Sequence, residues 1–160
     1  MRKKIRGLLC VMLVLVLCTG CSLLYSGTMP FNGEAQFHDI WIVIPERFIR
    51  DSTQSSDDVW VFERGNYKEY IIMSRTDIQS DEKTEFESAI AYMKSVGAEY
   101  EMLTKDGIQA AHFTYDKEGV FCQELVFPYK GLFYAIALRG GDENGFKELI
   151  NSIVPIADVT

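Results

Sequence analysis

The residues of this chain best able to do covalent or proton chemistry are four cysteines and two histidines. One cysteine stands out by its setting. Cys21 follows the two small residues Thr19 and Gly20, which close an almost unbroken apolar run over residues 8–17. Arg2, Lys3, Lys4 and Arg6 precede that run. A positive start, an apolar middle and small residues before a cut are the anatomy of an export signal. The stretch 7–20 is shorter than the about 20 apolar residues of a membrane span. Its positive flank would stay cytoplasmic while the rest is exported. A cut after Gly20 removes Cys10 and Cys18 and leaves Cys122 as the only other cysteine. If Cys21 is itself modified, no disulfide can form within the exported chain, which must then rely on its core.

The remaining candidates read more plainly. His38 and His112 fall in strand-like stretches, and no Gly-x-Ser-x-Gly elbow accompanies them. A hydrogen-bonded strand histidine is therefore the expectation at both. Cys122 sits mid-strand with no basic residue beside it, the setting of an inert buried thiol rather than a redox one. Asp142-Glu143-Asn144-Gly145 has closely spaced oxygen ligands. A helix N-terminus explains it better than a calcium loop. Past Cys21, Cys-x-x-Cys and His-x-x-x-His pairs and phosphate loops are absent from the sequence. The expectation is no catalytic residue, no metal and no cofactor beyond a covalent lipid.

That lipid follows from a resemblance. Leu17-Cys18-Thr19-Gly20-Cys21 resembles the lipobox of bacterial lipoproteins. The resemblance implies that Cys21 receives a diacylglyceryl group, becomes the mature N-terminus and labels with palmitate. One departure is present: the position three before Cys21 is usually Leu, and here it is Cys18. The implied organisation is a signal peptide over residues 1–20, a lipid anchor and flexible tether over 21–33, and one domain over 34–160. The implied location is the extracytoplasmic face of a bacterial cell envelope. Four of the 16 basic residues lie in the leader and none of the 23 acidic ones, so the mature chain has 12 against 23, a formal charge of −11. Such a chain lacks the clustered Lys and Arg that hold nucleic-acid phosphates. It also gains no polybasic attraction to a bilayer, so membrane residence must come from lipid. The twelve-residue tether spans roughly 20 Å as a coil, enough to float the domain clear of the headgroups.

The elements follow from periodicity and punctuation. Residues 35–44 read as one strand, apolar on both faces at Ile40-Trp41-Ile42-Val43-Ile44 and ended by Pro45. Residues 50–58 read as an exposed polar loop. Residues 59–63 and 67–75 flank Arg64-Gly65-Asn66 as a hairpin. Residues 80–96 switch to helical period, with Phe86, Ala89, Ile90, Met93 and Val96 on one face. Four strands then follow over 99–104, 108–115, 120–127 and 132–139, each turn closed by glycine. Asp142 caps a last helix over 143–153, with Phe146, Leu149, Ile150 and Ile153 inward. The order β-ββ-α-ββββ-α predicts an α+β fold, an antiparallel sheet with two packed helices.

This pattern resembles the PsbP-like superfamily over residues 37–153. That group includes photosystem II extrinsic proteins, DcrB-type bacterial lipoproteins and a eukaryotic Ran-binding import factor. The matching stretches are Ile42-Val43-Ile44-Pro45, Gly107-Ile108-Gln109-Ala110, Tyr134-Ala135-Ile136-Ala137-Leu138 and Asn151-Ser152-Ile153. The resemblance implies a domain that binds or stabilises a partner protein, and it carries no site residue across. Asp51, Asp57 and Asp58, in the longest polar loop, are the candidate partner contacts. The expected function is a membrane-anchored, non-catalytic accessory module. The alternatives are an exported hydrolase whose site is assembled from distant residues, and an envelope immunity or inhibitor lipoprotein.

Overall fold

The computed structural model describes residues 33–65 and 68–156. The leader, Cys21 and most of the tether lie outside the described residues. Twelve elements follow in order: β1 (Gly33–Phe37), β2 (Ile40–Ile44), β3 (Ile49–Arg50), β4 (Val59–Arg64), β5 (Glu69–Asp77), α1 (Glu82–Ser95), β6 (Glu99–Lys105), β7 (Ile108–Lys117), β8 (Val120–Tyr129), β9 (Leu132–Arg139), α2 (Glu143–Ser152) and β10 (Val154–Pro155). All pairings are antiparallel. Seven strands form the main sheet in the order β3-β4-β5-β9-β8-β7-β6, and β1-β2-β10 form a small second sheet. The fold class is α+β, as the sequence predicts.

Each face of the main sheet buries a different layer. On one side Ala110, Leu125, Phe127, Tyr134, Ile136, Leu138, Ile71, Met73 and Phe62 meet the small sheet and α2. The small sheet supplies Ala35, Phe37, Ile40, Ile42 and Ile44, and α2 supplies Phe146 and Leu149. Phe48 also folds onto this core. On the other side α1 lays Phe86 against Ala111, Phe113 and Val126, with Ile90 and Met93 partly buried beside it. Val96, expected on that face, is exposed because α1 ends at Ser95 and the chain turns away at Gly97.

The stretch 35–44 departs from expectation. It is two strands, reversed at His38-Asp39, with His38 in the left-handed region at φ 54°. His38 therefore lies in a turn and not in a strand. Although β2 is apolar on both faces, only one of them is covered. Ile40, Ile42 and Ile44 point inward, whereas Trp41 and Val43 are each 41% exposed. Both alternating sets are apolar, so periodicity alone could not name the buried one. Past α2, Val154 and Pro155 pair with β2, an edge the sequence did not announce.

Caps and turns hold the frame. Asp81 caps α1 by accepting from the Thr84 backbone N–H at 2.9 Å, and Asp142 caps α2 by accepting from Gly145 N–H at 2.7 Å. Lys105 Nζ donates to the carbonyls of Ile150 (3.0 Å) and Asn151 (2.5 Å), a cation at the negative end of α2. Gly140 has φ 78°, and a Cβ there would meet the Lys68 carbonyl oxygen at 2.3 Å. Only glycine fits that corner between β9 and α2.

Candidate functional site

The loop between β3 and β4 contains all three candidate contact carboxylates, and it is pinned at several points. Asp51 is spent within the loop. Its carboxylate accepts from Thr53 N–H (2.8 Å), Thr53 Oγ1 (2.6 Å) and Gln54 Nε2 (2.6 Å), an Asx-type turn. These hydrogen bonds, the Thr53 hydroxyl first, hold its carboxyl below the usual range. Ser55 Oγ donates to the Asp51 carbonyl at 2.6 Å and accepts from Val61 N–H at 3.1 Å, tying the loop to β4. Asp58 pairs with Arg75 of β5 at 2.7 Å. His38 reaches over from the β1–β2 turn, and its Nε2 donates to the Asp57 carbonyl at 2.7 Å. The structure thus joins one candidate histidine to the candidate acidic loop, a meeting across nineteen residues. Asp57 is exposed, and its carboxylate makes no hydrogen bond or ion pair among the described residues.

The second histidine builds a separate place. His112 of β7 faces Glu101 of β6 directly, and Nδ1 lies 3.0 Å from Glu101 Oε1. Its ring tilts over Phe146 at 5.1 Å between centroids. Gln123 of β8 donates to the Asp142 carbonyl at 3.3 Å. Glu99, Glu101, His112, Thr114, Gln123 and Glu143 line a groove of about 350 Å³. Lys147 donates to Glu143 at 2.5 Å and holds that carboxyl below its usual range. The remaining nitrogen of His112, Nε2, is fully enclosed without a hydrogen-bond partner, as is Oε1 of Gln123. Glu101 orients the imidazole through Nδ1, and the other ring nitrogen is shut away from solvent.

Sequence reasoning missed the Glu101–His112 pair, although turn register contains it. The Lys105-Asp106-Gly107 turn pairs Lys105 with Ile108, and counting outward sets Glu101 opposite His112. The same count from the next turn sets Thr114 opposite Gln123. Cys122 is buried on β8, as expected, with its thiol 3.4 Å from the Val120 carbonyl. Asp142 and Glu143 serve the start of α2, again as expected.

Two solved structures share this architecture. The solution structure of cyanobacterial PsbP (CyanoP) from Synechocystis sp. PCC 6803 superposes with a TM-score of 0.56 at 14% identity, covering 81% of this chain and 93% of that one. The fold is PsbP-like. A crystal structure from Bacteroides thetaiotaomicron VPI-5482 matches with a TM-score of 0.55 at 9% identity, covering 80% of this chain. The chain spans 50% of the length of that Bacteroides protein. No family model and no curated protein matches the sequence. At these identities the PsbP-like likeness is one of fold, and function has to be argued from residues.

Proposed function

We propose that this chain is an extracytoplasmic lipoprotein of a bacterial cell envelope, anchored through acyl lipid on Cys21, whose PsbP-like domain binds a protein partner without chemistry. The pinned loop over residues 51–58 carries this reading. His38, Ser55 and Arg75 hold it from three directions. A loop already held in one shape loses little conformational entropy on binding. It presents the exposed Asp57 carboxylate within a chain of strong negative charge, which favours a basic partner surface. The signal-like leader with Thr19-Gly20-Cys21 supports the anchor, and among the described residues no helix is long and apolar enough to cross a membrane.

The test is capture of a partner from detergent-solubilised membranes by the tagged full chain. Asp57→Lys should weaken capture, with the larger loss at low salt. Asp51→Lys and Asp58→Lys are poorer probes because they also unpin the loop. Equal capture by wild type and Asp57→Lys contradicts the assigned surface.

The groove at His112 favours a second reading, an exported hydrolase. Glu101 orients the imidazole as a general base requires. The enclosed Nε2 weighs against it, since a base must reach the proton it removes. A hydrolysis lost with His112→Ala and indifferent to Asp57→Lys would replace the binding reading.

A further inference from the structure

The outer face of the small sheet is apolar where a solvated face should be polar. Trp41 and Val43 of β2 are each 41% exposed, and Val154 of β10 is 51% exposed. Trp41 and Val154 are directly paired across the ladder, so their side chains share a face. Val43 lies two residues along β2 on that same face. The flanking positions on β1 are Gln36, opposite Trp41, and Glu34, opposite Val43. These three side chains form one contiguous apolar cluster with a tryptophan at its centre and a polar rim, the composition of an interaction surface rather than of scattered exposed residues.

The chain's entry point selects the cover. Residues 1–32 join the fold at Gly33, the first residue of β1, which pairs with Ile44 of β2. The Trp41 row lies three residues along that ladder, about 10 Å away. A tether of twelve residues from Cys21 reaches roughly 20 Å. An acylated Cys21 therefore keeps this face within reach of the headgroups at all times. Tryptophan favours that interfacial zone, where its ring is buried and its N–H stays wet. A weak contact suffices there, because the anchor makes docking intramolecular.

We propose that the outer face of the small sheet, Trp41, Val43 and Val154, rests on the membrane interface, so that the domain lies against the bilayer instead of floating clear of it. The inference relies on the lipid anchor proposed at Cys21. Docking this face fixes which surfaces point away from the bilayer.

The test uses the full chain, purified from membranes and reconstituted into phosphatidylethanolamine–phosphatidylglycerol vesicles with brominated acyl chains. The protein has two tryptophans, and Trp60 is partly buried against Phe37 at the edge of the core. Emission lost on changing Trp41→Phe therefore reports Trp41 alone. The expected result is a blue shift of that difference emission in vesicles, with at least twofold quenching by brominated lipid. Val154→Glu should reduce the quenching while the protein still floats with the vesicles. Flotation with Trp41 emission unchanged from detergent-free buffer overturns the docking and leaves the anchor standing. A Trp41 signal already blue-shifted without lipid, and unquenched by bromine, assigns the face to another segment or a second copy and also overturns it. Failure of the wild-type chain to float overturns the anchor and the docking together.

Discussion

Cys122 sits on β8 opposite Arg139 of β9, with Tyr115 of β7 on its other side. Burial pushes its thiol up, against the weaker pulls of Arg139 and Lys117. A buried thiol held protonated is slow to attack. A maleimide should label the folded protein far more slowly than the urea-unfolded chain. Fast labelling of the folded form would revive a redox role. One strand-pair away, Tyr115 Oη donates to Glu124 at 3.0 Å. Burial raises the Glu124 carboxyl, and the Tyr115 hydrogen bond only partly opposes this. Burial first, then the Glu124 charge, pushes the Tyr115 phenol well above its usual range. The folded state thus binds the Glu124 proton more tightly than the unfolded chain does. Its contribution to stability is full below the ordinary carboxyl range and is lost as pH rises through the raised folded value. Glu124→Gln keeps an acceptor for Tyr115 and removes the charge. The variant should lose this part of the pH dependence and melt at higher urea than wild type at neutral pH. An unchanged pH profile would mean that Glu124 is solvated. Turn register sets Tyr115, Cys122 and Arg139 beside one another, but the burial that raises the Glu124 carboxyl was not legible in the sequence.

At the scale of elements, the strongly periodic segments were legible and the ambiguous ones were not. Capping by Asp142, the stripe of α2 and the four-strand meander all follow from local chemistry. The β1–β2 hairpin did not, since His38-Asp39 is an unusual turn pair and both strand faces are apolar. Helix α1 shows how far a stripe can be trusted. Phe86 is buried, Ile90 is partly buried, and Lys94 is exposed with its amine 5.4 Å from the Tyr100 ring centre. Phe86→Ala should cost about 3–5 kcal/mol, as deletion of a buried phenyl does. Ile90→Ala should cost about 1–2 kcal/mol, roughly half the fully buried value. Lys94→Ala should stay within about 0.5 kcal/mol. Urea melts that ranked these three otherwise would place α1 in a different rotation on the sheet.

At the scale of the whole molecule, the two sheets and two helices pack around two buried clusters and present several distinct surfaces. The pinned acidic loop and the apolar outer face of the small sheet are such surfaces, and the proposed anchor at Cys21 would bring one to the bilayer while the other is free to meet protein. The composition made the charge legible. It could not show that His38 and Arg75 brace the loop, because both contacts are long-range pairings. The central claim is that a lipid-held domain captures a protein partner through that loop. Cross-linking in intact cells, followed by mass spectrometry of what is joined to the wild type, Cys21→Ser and Asp57→Lys, tests it most directly. The account predicts a protein with a basic surface joined to the wild type, lost with Cys21→Ser because the tether is gone, and reduced with Asp57→Lys. The same proteins joined equally to all three forms would contradict it.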